Sequence, residues 1–294
     1  PDLVVAGGEA FDDQVSSYPV PVRDATMIER PCARDWVRYA ALGDSFTEGL
    51  MDETRPDGRH RGWADRVARH LASRPGFDEG IEYANLAVRG RLVTEVIDQQ
   101  VPAAVRLRPD LASLAVGVND TLRPHFELDP VATALENGVR DLRGAGADVL
   151  LFAFGDPSRR SLAMAPVRSR ILAYNSAVRA IAEEYGCYLV SFWQVAVYDD
   201  DRLWDEDRLH LSPMGHALAA QTALEALGLG DSSWRTPLVP APPTPLGERL
   251  ADHARWGTRH LAPWIMRRIR GQSSGDTVTP KDPSWVRIGP DHED

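Results

Sequence analysis

Short apolar runs alternate along this chain with longer stretches whose apolar residues recur every three or four positions. The runs are Val37 to Leu42, Ile81 to Leu86, Leu111 to Val116, Val149 to Phe154 and Tyr188 to Phe192. Short and mostly unbroken, they predict strands covered on both faces, as in a parallel sheet. Between the first two, Trp63, Val67, His70 and Leu71 share one helical face, and Pro75-Gly76 ends that helix. After the second run comes a helical stretch broken at Pro102. Asp129-Pro130 offers a cap and a first-turn proline to a helix carrying Val131, Leu135, Val139 and Leu142, closed by Gly144. Val167, Ile171, Tyr174, Val178, Ile181 and Tyr185 form the inward face of a long helix before Gly186, and Ser212-Pro213 starts a last one reaching about Leu227. Strands alternating with helices in this way predict an α/β fold, a three-layer α/β/α sandwich on a five-stranded parallel sheet with right-handed crossovers.

The flanks lack that rhythm. Residues 1–35 mix acidic residues, glycines and prolines, and read as a surface extension to a core domain over 36–230. Residues 231–294 read as a proline-rich linker (Pro237 to Pro245), a basic amphipathic helical segment over 246–270 and a polar, irregular tail from Ser273. The amphipathic segment has apolar Trp256, Leu261, Trp264 and Ile265 against several arginines. It is expected to pack on its own domain, with contact to a membrane surface as the lesser alternative.

Composition narrows the function. A net charge of −10 leaves no cationic excess for phosphates, so nucleic acid is not an expected partner. No apolar run is long enough for a transmembrane segment. Residues 1–24 lack a basic segment followed by an apolar one, which makes the cytoplasm the expected location. Cys32 and Cys187 are distant, have no metal-ligand spacing and are expected to be unpaired thiols.

The chemistry collects after the strands, where open α/β sheets gather their ligands. Gly43-Asp44-Ser45 follows the first strand, Gly90 the second, Gly117-Val118-Asn119-Asp120 the third, and Asp207-Arg208-Leu209-His210 the fifth. Acyl transfer needs a hydroxyl nucleophile, an imidazole base, a carboxylate on the far ring nitrogen, and fixed donors for an oxyanion. These loops supply all four. Asp156, after the fourth strand, and Trp204 and Trp63 are further candidates for substrate contact, with packing the alternative for both tryptophans. His216 lies inside the Ser212-Pro213 helix and reads as structural, so no metal site is expected. Gly144-Ala145-Gly146 precedes a strand rather than following one, which argues against a dinucleotide loop.

In their order and spacing these four blocks resemble those of the SGNH hydrolase, or GDSL-type esterase, superfamily, over about residues 36–228. The first block reads Gly-Asp-Ser-Phe, and the Gly-x-Ser-x-Gly elbow of ordinary α/β-hydrolases is absent. The resemblance implies a flavodoxin-like α/β/α fold and a cofactor-free serine hydrolase acting on a small-molecule ester. It implies Ser45 as nucleophile, His210 as base and then acid, and Asp207 as the residue orienting His210. The N–H groups of Ser45 and Gly90 and the Asn119 side chain would form the oxyanion hole. Two alternatives stand beside it, an acyltransferase using the same triad and a non-catalytic carbohydrate- or lipid-binding module. Acceptor-alcohol product analysis separates the first, and phosphonate labelling the second. Neither the acyl chain, the alcohol nor the oligomeric state is legible.

Overall fold

In a computed structural model, residues 35–160, 164–239 and 275–290 are described. The N-terminal extension through residue 34 and the amphipathic stretch over 246–270 lie outside them. The strands are β1 (Arg38–Gly43), β2 (Ile81–Asn85), β3 (Leu111–Ala115), β4 (Asp148–Ala153), β5 (Tyr188–Ser191) and β6 (Asp282–Ile288). They form one sheet in the order β5-β4-β3-β1-β2-β6. β1 to β5 pair in parallel, as the apolar runs predict, with Ala40 opposite Ala84 on one side and Ala112 on the other. β3 and β4 are buried along their whole length, which explains their unbroken apolar sequences.

Beyond two single-turn helices at the site, five longer ones cover the sheet. They are α2 (Trp63–Ala72), α3 (Val93–Leu107), α5 (Leu128–Gly144), α6 (Ala165–Glu184) and α7 (Pro213–Ala226). α2 packs against α7, and α5 packs against both α3 and α6. Right-handed crossovers place these two sets on opposite faces of the sheet. β1 to β2 runs one way and β2 to β3 doubles back past β1, so the strand order reverses between β1 and β3. The carboxyl ends of those two strands are therefore the place for a ligand.

Three expectations need correction. The sheet has a sixth strand: the tail expected to be irregular contributes β6, antiparallel to β2, with Tyr83 opposite Val286. β6 is mostly exposed and carries Pro283, which an edge strand tolerates because one of its sides has no ladder to complete. Its proline and the lack of a regular apolar alternation hid it. Pro102 does not break α3, which continues through it. Pro102 and Asp98, whose carbonyl loses its helical partner, are both exposed, while Val93, Val96, Val101 and Ala104 are buried and hold the helix to the core. Asp129 does not cap α5: Glu127 occupies the cap position, and Asp129 sits in the first turn, where its charge favours the helix N-terminus. Ser212 does cap α7, accepting the Gly215 N–H at 3.3 Å.

The segment carrying β6 also inserts Lys281 beneath the loop that follows the first strand. Its ammonium donates to the carbonyls of Glu48 (3.0 Å), His60 (2.9 Å) and Arg61 and pairs with Asp65. Cys187 is a free thiol that burial pushes up to about 11, and no helix among the described residues is long and apolar enough to cross a membrane.

Candidate active site

β1 reaches the site through Gly43. A Cβ there would lie 2.2 Å from the Ala115 carbonyl oxygen of β3, so no other residue passes this point without moving a core strand. Gln100, buried on α3, holds the same glycine by two bonds. Its carbonyl accepts the Gly43 N–H at 2.9 Å and its amide donates to the Gly43 carbonyl at 2.9 Å. Asp44 then caps the single-turn helix α1 (Ser45–Glu48), accepting the Phe46 N–H at 3.0 Å. The hydroxyl of Ser45 thus projects from the first residue of a short helix whose approach is fixed by β3 and by Gln100 of α3.

His210 arrives from a tight turn ahead of α7. Asp207 accepts the backbone N–H groups of Leu209 and His210, each at 2.9 Å, and His210 Nδ1 at 2.5 Å. Arg208, between them, is left-handed at φ 58°, a strained geometry for a side chain that the surrounding bonds enforce. With Nδ1 donating to the carboxylate, His210 Nε2 is the acceptor facing Ser45 Oγ, at 3.0 Å. Burial pushes the Asp207 carboxyl up, but the hydrogen bond and charge of His210 and the two N–H groups outweigh it and bring it down to about 2. The carboxylate stays ionised beside the ring.

After β3, Gly117 turns the chain at φ 110°; a Cβ there would strike the Tyr174 ring at 2.2 Å. The single-turn helix α4 (Val118–Thr121) follows and carries Asn119, whose amide donates to Asp44 at 3.0 Å and to the Arg91 carbonyl at 3.2 Å. Asp120 is buried against the N-terminus of α3, accepting the Val93 N–H at 3.1 Å, and burial with the nearby Asp44 charge raises it to about 7. Gly90 occupies a turn at φ 77° and does not line the cavity. Its neighbour Arg89 ties that turn to α1, donating its backbone N–H to Glu48 at 2.7 Å and its side chain to the same carboxylate.

Ser45, Asn119 and His210 open onto one cavity of about 150 Å³, with Phe46, Leu122, Phe154, Ile171, Phe192 and Val195 in its walls. Asp156 and Trp204 line it too. Asp156 is engaged locally, accepting Ser158 Oγ at 2.6 Å and Arg168 Nε at 2.7 Å, while Trp204 donates its indole N–H to the Tyr198 carbonyl at 2.9 Å. Trp63 is elsewhere. It is fully buried, with its ring centroid 5.4 Å from that of Phe46 and 4.8 Å from that of Phe152, so packing is its role and it is no candidate for substrate contact. His216, in α7 as expected, bonds the Leu50 carbonyl at 3.1 Å; burial lowers it to about 4 and keeps the ring neutral.

Sequence reading passed over Gln100, although a polar residue in the apolar stripe of Val93, Val96 and Ala104 is itself a sign of a buried, paired amide. It also passed over Lys281, Arg160 and Asn175. Asn175 clamps the backbone after β4 at Phe154, accepting its N–H at 2.9 Å and donating to its carbonyl at 2.8 Å.

A sheet with its strand reversal at a serine, a histidine and a carboxylate is the architecture of an α/β ester hydrolase. Residues 41–218 match the GDSL-like lipase/acylhydrolase family, and the chain belongs to that family. It is a carboxylic ester hydrolase. Among solved structures it is similar to Axe2, an acetylxylan esterase from Geobacillus stearothermophilus (TM-score 0.55, 22% identity, 66% of this chain and 96% of that one). It is also similar to LAE5, an alpha/beta hydrolase enzyme from the metagenome of Lake Arreo, Spain (TM-score 0.53, 22% identity, 66% and 96%). These likenesses show a shared fold. No curated protein matches the sequence.

Proposed function

We propose that the chain hydrolyses carboxylic esters through an acyl-enzyme, with Ser45 as nucleophile, His210 as general base and then acid, and Asp207 orienting His210. The observation that carries this reading is the His210 ring itself, bonded at one nitrogen to Asp207 (2.5 Å) and at the other to Ser45 Oγ (3.0 Å). As Ser45 Oγ attacks the ester carbonyl, its proton passes to His210 Nε2, and the ionised Asp207 stabilises the imidazolium. The same proton then goes to the departing alkoxide, leaving the acyl group on Ser45. Water attacks the acyl-enzyme with His210 again taking a proton, and Ser45 leaves with that proton as the acid is released.

The tetrahedral oxyanion is held by the Ser45 N–H at the start of α1 and the Asn119 amide; Gly90, whose turn lies outside the cavity wall, adds its N–H as a third donor only through a shift of that turn. Asn119 gives up its longer contact, to the neutral Arg91 carbonyl, for a charged acceptor, a stronger bond. A donor of this kind is worth about 3 kcal/mol in the transition state.

Ser45→Ala tests the assignment. It should abolish turnover of a short 4-nitrophenyl ester and covalent labelling by a fluorophosphonate while the melting temperature is kept. Undiminished turnover in that variant would refute it.

A further inference from the structure

The carboxylates around the cavity all have partners. Asp44 accepts from Phe46 and Asn119, Asp156 from Ser158 and Arg168, and Asp199 from Arg159. Arg160 breaks the pattern. It lines the cavity half-buried, its guanidinium carbon 3.5 Å from the centroid of the Trp204 ring. Among the described residues no carboxylate stands within ion-pair distance of it. Its hydrogen bonds go to a single oxygen, the Arg208 carbonyl, at 3.3 and 3.4 Å, long for a charged donor. Burial lowers this arginine to about 10 against the opposing pull of Asp201, Asp199 and Asp207, none of which reaches it as an ion pair.

A guanidinium carries five N–H donors in a planar fork that matches a carboxylate edge to edge. Stacking on Trp204 fixes the plane of the fork; both terminal nitrogens share one long contact to the Arg208 carbonyl, and the donors that this contact leaves over are the ones a ligand takes. A phosphate would call for donors on several sides; one stacked arginine in a small cavity whose carboxylates are already paired suits a planar, singly charged group.

We propose that Arg160 is a specificity-determining residue and that the ester this enzyme prefers carries a carboxylate, which Arg160 binds inside the catalytic cavity. The proposal rests on the hydrolase reading of Ser45 and names its substrate class. The overall charge of −10 does not oppose it, since net charge says nothing of the field inside one cavity.

Two matched pairs of esters test it. Mono-4-nitrophenyl adipate against 4-nitrophenyl hexanoate places the charge on the acyl side; 4-acetoxybenzoate against its methyl ester places it on the alcohol side. In the wild-type enzyme kcat/KM should favour the acid in at least one pair, mainly through KM. Arg160→Gln should cut that acid-to-neutral ratio by about tenfold or more, and Arg160→Lys should retain part of it. A neutral ester preferred in both pairs would overturn the proposal. So would a ratio unchanged in Arg160→Gln with kcat falling alike for both esters, the result for a residue that only supports the Arg208 carbonyl. If Arg160→Gln does not fold, inhibition of the wild-type enzyme decides: benzoate must bind more tightly than benzamide, and equal inhibition sinks the idea. Fluorophosphonate labelling of Ser45 is followed throughout, because a protein neither labelled nor active fails the hydrolase reading instead.

Discussion

Lys281 and Arg160 are both withdrawn from water, and their surroundings are opposites. Lys281, with a side chain only 4% exposed, lies among three carbonyls and the carboxylate of Asp65. Arg160 has an indole face and one carbonyl at long range. A buried cation is costly unless it is paired and hydrogen-bonded. Lys281 meets that condition from within the fold and so acts as a structural rivet, joining the strand at the sheet's edge to the loop behind Ser45. Arg160 meets it only when something enters the cavity. The contrast shows how a cation that holds a fold differs from one kept for a ligand.

Truncation of the two cations is the strongest way to break this comparison. Lys281→Met leaves Asp65 buried with Arg55 (3.3 Å) as its remaining cation and should cost about 3–5 kcal/mol in urea denaturation. Arg160→Met should change stability by no more than about 1 kcal/mol, because the lost stacking is offset by relief of an unpaired charge. Equal losses in the two variants would erase the distinction.

The clamp on the strand leading to Ser45 gives a smaller effect. Gln100→Leu leaves the Gly43 N–H and carbonyl buried without their partners, at a cost of about 2 kcal/mol. It should also lower kcat more than it raises KM, since Gly43 leads directly into α1. A loss of stability with unchanged kcat would show that the clamp supports the strand and not the serine.

The smallest effect is in pH. Burial raises Asp65 to about 6 against the pull of Lys281 and Arg55. The folded state therefore holds this proton more tightly than the unfolded chain, and stability from this group falls as pH rises from about 4 to about 6. Removing Lys281 takes away an influence that lowers Asp65, so the fall should extend to higher pH. The penalty of Lys281→Met, measured by urea midpoints, should accordingly be larger at pH 8 than at pH 5. Asp207 runs the other way. Its carboxyl is depressed to about 2, so its contribution is present above about 4 and is lost as pH drops towards 2. Asp207→Asn should remove that acid-side loss, read from the same midpoints between pH 5 and pH 3.

The sequence by itself determined the order of β1 to β5 and the helices between them, because a strand buried on both faces and a one-sided helix each leave a periodic trace. It also determined where the reactive groups lie along the chain. Asp207 and His210 needed only a three-residue turn to meet, and Ser45 only a strand end that glycine alone can pass. Tertiary structure decided what has no local trace. β6 is a mostly exposed edge strand of mixed polar and apolar residues whose pairing with β2 depends on a partner about 200 positions away. Trp63 and Trp204 look alike as residues, yet one is sealed between Phe46 and Phe152 and the other floors Arg160. Whether a buried charge is satisfied is likewise a property of the assembled neighbourhood: Lys281 finds Asp65 across 216 residues, and Arg160 finds no carboxylate within ion-pair distance among the described residues. Hydrophobic period is written residue by residue, whereas electrostatic completion is a sum over everything that folding brings close.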